Sequence, residues 1–270
     1  MSKSDALATK EMPFRVYMGY DSHEDITFEV RATRCSSSSS SSSSGIRRTT
    51  SSVFVASRVA CVLDDKINDF WLGDACTSPT NALKRKPFWY EGSLDTDGKI
   101  RVLFGDVVQE ALAGNLEDWC SQPQSSLALI LLLDQFSRNL FRGSPEAYSG
   151  DAQALRYLRC IIKNQFDAGL HVVPRIWLYH PLHHSECLDD QDQGSELLEK
   201  LLRVSHSRWH NYIKLSIAGW SGHREIIKSY GRFPHRNFVL ERINTSREEK
   251  FLELEGRSFG QGPTRIKDNT

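Results

Sequence analysis

The sequence predicts an all-α protein of stacked antiparallel helix hairpins. Three observations lead there. From about Leu63 onward apolar residues recur at three- and four-residue steps, close to the helical period. Caps, prolines and glycines end these segments at short intervals. Few runs alternate apolar and polar residues as a half-buried strand would. Roughly five to eight helices on short connectors leave antiparallel neighbours as the simplest packing.

The chain divides by composition into residues 1–30, 31–62, 63–256 and 257–270. In the first segment Phe14 to Ser22 reads as a short strand with a turn. It is similar to the opening strand of nucleotide-sugar glycosyltransferases, but no Asp-x-Asp metal motif follows it at a useful distance. The second segment holds nine consecutive serines, Ser36 to Ser44, and five arginines (Arg31, Arg34, Arg47, Arg48 and Arg58) without an acidic residue. A polyserine tract has nothing to bury, so a disordered linker is expected. Its composition also fits an organellar transit peptide, although the acidic residues before it give the wrong flank. Residues 257–270 read as a flexible tail.

Within residues 63–256 the helical domain begins. Val102, Leu103, Val107, Val108, Ala111 and Leu112 line one face of a helix over Lys99 to Leu116, ended by Gly114 and Asn115. Ser125 is the expected cap of a helix through Leu133 and Phe136 that Gly143 stops. Leu127 to Leu133 is purely apolar, which marks a core segment. Ser144-Pro145-Glu146 has the cap, first-turn proline and acid of a helix start. A second start at Asp151 leads toward a stop at Gly169. Pro174 opens the next helix, and Pro181 kinks or shortens it. Helices over Gln191 to Val204 and His206 to Tyr230 follow. The capping box Thr245-Ser246-Arg247-Glu248 opens the last one.

Composition excludes several function classes. Lys plus Arg and Asp plus Glu both number 34, so the net charge is zero. No global field recruits nucleic acid or an acidic membrane. The seven-residue apolar run is far short of the roughly 20 residues that span a bilayer. Six cysteines (Cys35, Cys61, Cys76, Cys120, Cys160 and Cys187) lack the close spacing of a zinc site. They read as mostly buried free thiols in a reducing compartment. The expected location is cytoplasmic, with an organellar one as the alternative from residues 31–63. No P-loop, nucleophile elbow or dinucleotide fingerprint occurs, and no cofactor is expected.

The residues that could carry chemistry lie in two echoing motifs and one histidine cluster. Asp134 to Gly143 and Gly231 to Asn237 each set an Arg-Asn pair against large apolar residues. A guanidinium is costly there unless its planar fork meets a carboxylate, a phosphate or carbonyls. Arg138 and Arg142 stand at i and i+4, which calls for an anion between them, either an internal acid such as Asp134, Glu146 or Glu186 or a ligand. In the second motif Gly231 ends a helix and Pro234 stiffens the loop that carries Arg232, His235, Arg236 and Asn237. His223, two helical turns upstream, reaches the same region. In His180-Pro181-Leu182-His183-His184-Ser185-Glu186, Pro181 and the missing metalloprotease glutamate argue against a metal. His184 with Glu186 forms a candidate proton-handling pair. The ligand-binding candidates are therefore Arg138, Asn139, Arg142, His223, Arg232, Arg236 and Asn237. The catalytic candidates are His184, Glu186 and His235.

These blocks resemble the signatures of the domain-of-unknown-function family 924. Ile67-Asn68-Asp69-Phe70-Trp71-Leu72-Gly73 is similar to its opening, Trp89 to its next aromatic position, and Asn244 to Leu252 to its last block. The resemblance spans about residues 66–255. Ser137 stands where the family usually has Pro, and Cys187 where it has Asp. The resemblance implies an α-α superhelix similar to tetratricopeptide-repeat proteins, largely bacterial occurrence and no settled activity.

Three functions fit: a module binding a small anion or a carboxylate-bearing ligand, a hydrolase or transferase using His184, Glu186 and His235, or a helical adaptor for a protein partner. Convergence of the arginines and histidines on one cleft separates the first two from the third.

Overall fold

The computed structural model describes residues 51–255, with side chains from Val62 to Leu254. The strand expected at Phe14 to Ser22, residues 1–30, most of the 31–62 stretch and the tail 257–270 lie outside the described residues. Helix α1 (Ser51–Leu72) starts inside that stretch.

The described residues form helices and 3-10 turns with no strand among them, so the domain is all-α. After α1 come α2 (Pro79–Tyr90) and α3 (Leu94–Leu112), capped by the side chains of Ser78 and Ser93. Alpha-helix α4 (Pro123–Ile130) runs on through a π-turn over Leu131–Phe136 into α5 (Ser137–Leu140). Then follow α6 (Asp151–Lys163), α7 (Val172–Leu178), α8 (His180–His184), α9 (Leu188–Val204), α10 (His210–Tyr230) and α11 (Ser246–Glu255).

Helix α4 and its π-turn sit at the centre, with Leu127 to Leu133 exposed by 1% or less. A helix that is apolar all round must be covered on all sides. Here α6, α7 and a 3-10 turn at Glu117–Ser121 pack on α4, while α3 packs on the π-turn and α5. Aromatic rings close this core. Trp177 meets Trp71 and Trp89 edge-on, both at 5.1 Å, and Phe136 meets Phe104 at 5.2 Å. Helices α9 and α10, joined by the short stretch Ser205–Trp209, pack along each other as a hairpin.

Element boundaries differ from the sequence-based expectations for identifiable reasons. Helix α2 has no counterpart there, because Pro87 inside it hides the period. Helix α3 begins before Lys99, at the Ser93 cap, and Pro123 rather than Ser125 opens the central helix. Ser144-Pro145-Glu146 starts only a 3-10 turn, Pro145–Tyr148, and the α-helix begins at Asp151. That helix stops at Lys163 rather than Gly169, where Gln165 takes a left-handed φ of 59°. Pro181 lies in the first turn of a separate helix, α8, where its missing N–H costs nothing. The Thr245 box forms as expected: Glu248 N–H donates to Thr245 Oγ1 at 3.3 Å, and Thr245 N–H to Glu248 at 2.7 Å. Cys76, Cys120, Cys160 and Cys187 are free thiols, but half-buried or exposed rather than buried.

Among the described residues no helix is long and apolar enough to cross a membrane.

Candidate functional site

The site begins with a backbone irregularity. In the π-turn Ser137 N–H donates to Leu132 O, five residues back, instead of four. The extra residue rotates Asp134 and Gln135 relative to the helix before them, and such turns favour functional positions. Gly150 closes on this turn. A Cβ at Gly150 would lie 3.0 Å from the Leu133 carbonyl carbon and closer still to its oxygen. Only the bare backbone lets the start of α6 approach, and that approach delivers Asp151 to Arg138.

Asp134 is fully buried and fully engaged. Its carboxylate accepts from Gln135 Nε2 and lies 3.2 Å from Arg138 Nη1. His184 Nδ1 stands 2.9 Å from both of its oxygens. Arg138 also meets Asp151 at 2.9 Å and donates to the Asp134 carbonyl. Arg236 reaches Asp151 at 3.6 Å and donates to the His184 carbonyl at 3.0 Å. Its guanidinium lies over the rings of Phe233 and Tyr148. Arg142 forks onto Asp97, Nε to Oδ2 at 2.9 Å and Nη2 to Oδ1 at 3.0 Å, and Asn139 donates to Asp97 at 2.7 Å.

These groups surround a cavity of about 130 Å³. Arg138, Asn139, Arg142, His184, His223, His235 and Arg236 all line it, so seven of the sequence-derived candidates converge. His180, His183, Gln135, Tyr148, Trp89 and Tyr90 complete the wall. The exposed Tyr90 and Gly92 and the half-buried Arg142 form its rim. Arg232, Asn237 and Glu186 are elsewhere. Arg232 forks onto Glu248 at 2.6 and 2.9 Å, Asn237 donates to Asn244, and Glu186 holds Arg242 and the Phe233 N–H. The expected His184–Glu186 pair is thus replaced by His184–Asp134. The anion expected between Arg138 and Arg142 is two different carboxylates, Asp134 with Asp151 for the first and Asp97 for the second.

The histidine rings are fixed by packing. His180 stacks on Trp177 at 4.1 Å and 10°, and His183 on Trp220 at 4.6 Å and 12°. His183 and His223 have ring centroids 4.0 Å apart. Burial disfavours the imidazolium in His180, His183, His184 and His235, and the neighbouring arginines add to this. His180 is pushed down to about 4 and His235 to about 2, chiefly by burial. Burial, then Arg138, holds His184 well below the ordinary imidazole range, and the Asp134 carboxylate pulls the other way without reversing it. His184 is therefore neutral near pH 7. Its Nδ1 carries the proton that Asp134 accepts, which leaves Nε2 with its lone pair. The side chain keeps 17% exposure, on a residue that lines the cavity.

In sequence Asp134 stands out only as a partner for Arg138 and Asp151 only as a helix start, and Asp97 does not stand out. Nothing local marks them, since Asp97 meets Arg142 across 45 residues. Among the described residues no group of three or more His, Cys, Asp or Glu side chains is arranged to hold a metal ion.

Comparison with known proteins places the geometry in a family. The family model described as a bacterial protein of unknown function (DUF924) matches residues 67–256. The solved structure of ATU0120, a protein of unknown function from Agrobacterium tumefaciens, is similar at a TM-score of 0.60 and 31% identity. The match covers 72% of this chain and 98% of that one. None of the curated proteins compared matches the chain.

Proposed function

The chain belongs to the DUF924 family, and from that premise we propose that its cavity binds a small monoanion, with a carboxylate as the ligand group. One observation carries the reading. Arg236 Nε, the Tyr148 hydroxyl and His183 Nδ1, all on residues of the cavity wall, are buried without a hydrogen-bond partner. Unmet buried polar atoms are few in folded proteins, and each costs about 1–3 kcal/mol. Three around one cavity favour a polar ligand there.

Charge and size narrow the ligand. Arg138, Arg142 and Arg236 face Asp134, Asp151 and Asp97, so the arginines of the wall are matched by carboxylates and leave no surplus positive charge among them. A dianionic phosphate needs such a surplus, whereas a monoanion makes fewer demands. A cavity of roughly 150 Å³ takes one benzene ring. A space of about 130 Å³ therefore suits a carboxylate with a few carbon atoms. The aromatic wall of Trp89 and Tyr148 supplies the apolar side of such a site.

Calorimetric titration of the full chain with propionate, and separately with inorganic phosphate, tests this. Propionate is expected to bind saturably at one site and phosphate more weakly. Arg236→Gln is expected to weaken propionate at least tenfold, while Arg224→Gln, whose guanidinium pairs with Asp192 outside the cavity wall, leaves it unchanged. Failure of propionate to bind, or equal binding by Arg236→Gln, contradicts the reading.

A further inference from the structure

We propose that the cavity is also a reaction site, in which His184 acts as general base and Asp134 positions it, for the hydrolysis of small carboxylic esters. This rests on the binding reading above, because the carboxylate that would occupy the cavity is the product of such a reaction.

The placement of His184 supports it. One ring nitrogen is tied to a buried carboxylate with both oxygens at 2.9 Å, and that carboxylate is itself held by Gln135 and Arg138. A base oriented in this way by a third group is the arrangement proton transfer requires. No hydrogen bond occupies Nε2 among the described residues, on a side chain that still reaches the cavity. Two neighbours on the same helix are placed differently: His180 Nδ1 is bound to the Ile176 carbonyl, and His183 Nδ1 is buried without a hydrogen-bond partner.

The wall composition selects the chemistry. It contains no Ser, Thr or Cys among the described residues, so the aliphatic hydroxyl or thiol of a covalent mechanism is not at hand. It does contain donors suited to a developing oxyanion, Arg236 and the Tyr148 hydroxyl. The step that uses both is addition of water to a carbonyl. His184 Nε2 takes a proton from water as the water oxygen bonds to the ester carbonyl carbon, and the carbonyl electron pair moves to its oxygen. The resulting oxyanion is received by Arg236 and Tyr148. Its collapse breaks the bond to the alcohol oxygen, which takes the proton from His184. Ester and water become acid and alcohol, and His184 returns to its neutral form.

The groups around His184 set its pH response: Asp134 and Arg138 from the central helix, His223 from α10, His235 and Arg236 from the turn after Gly231, His180 and His183 from its own helix, and Asp151 of α6 through its pairs with Arg138 and Arg236. With the imidazolium disfavoured there, the rate should reach its plateau below the usual imidazole midpoint.

The test is hydrolysis of p-nitrophenyl propionate by the full chain. In His184→Asn the amide nitrogen replaces Nδ1 toward Asp134 while the base is removed. That variant is expected to lose about 100-fold or more in kcat/KM yet still bind propionate. Exposed His206→Gln should match the wild type. Wild-type turnover should slow in D2O, and propionate should inhibit competitively with the constant measured by titration. Asp134→Asn should lower kcat more than it raises KM and move the acid limb of the profile. Wild-type hydrolysis no faster than that of His184→Asn overturns the proposal, as does a rate indifferent to D2O. If propionate binds in those cases, the binding reading survives; if it does not bind, that reading has failed separately.

Discussion

Arg232 and Arg236 stand four residues apart on one short loop and serve different parts of the molecule. Arg236 lies over Tyr148 and Phe233 at the cavity, whereas Arg232 forks onto Glu248 and also donates to the Ile243 carbonyl, which fastens α11. The Arg232 bond holds the Glu248 carboxyl far below the usual carboxylate range. A depressed carboxylate stabilises the fold above its unfolded value, near 4.5, and that contribution is lost as pH falls toward the folded value. Glu248→Gln is therefore expected to lower the melting temperature at pH 7, and the gap to wild type should shrink from about pH 5 downward. A gap independent of pH would contradict the assigned pair. Thr245→Ala, which removes the cap, should cost about 1 kcal/mol in a denaturant titration. At this scale the sequence marked arginines in apolar settings, and most of them do converge. It could not say which acid each would meet. Asp97 and Asp151 reach their arginines through tertiary approach, so no spacing rule could select Asp97 over Glu186.

Two glycines tie elements together. Gly231, at φ 71°, ends α10 with its N–H on the Ile227 carbonyl at 2.7 Å. Ala there should cost about 1 kcal/mol through the left-handed backbone alone. Gly150 has an ordinary φ of −84° but no room for a side chain against the Leu133 backbone. Gly150→Ala is expected to cost about 1–3 kcal/mol, toward the upper end because a main-chain carbonyl must move. It should also weaken propionate binding by pulling Asp151 from Arg138 and Arg236. Destabilisation by Gly150→Ala no greater than by Gly98→Ala, at a position with open space, would refute this. The C-terminal glycine was legible because helix ends announce themselves in sequence. The packing glycine and the π-turn were not, since both depend on a neighbour from outside their own segment. Helix α2 escaped for a local reason, a proline inside it.

Over the whole domain, an apolar central helix carries buried charge at one end, and α8 brings its histidines to that end. The all-α class was legible from periodicity, because the period reports the covered face without reference to the partner. The depth of the histidines was not, because imidazole patterns alike on a surface and in a core. Their burial has a consequence for stability. His180 titrates at about 4 when folded and near 6.5 when unfolded, so between those values the unfolded chain takes up more protons. Stability should hold above about pH 6.5 and fall as pH drops toward 4. His180→Phe, which keeps a ring on Trp177, should fall less steeply over the same interval in melting experiments. An anion in the cavity should also favour the imidazolium form of its neighbours, so propionate uptake should draw protons from the buffer at pH 6. Histidine ring nitrogens report this directly in long-range proton–nitrogen spectra of the full chain during a propionate titration. A neutral His184 protonated at Nδ1 is expected, with signals of His180, His183, His184, His223 and His235 shifting together to saturation while His171, His206 and His210 stay fixed. Unmoved cavity histidines, or an equal drift of all of them, would contradict it.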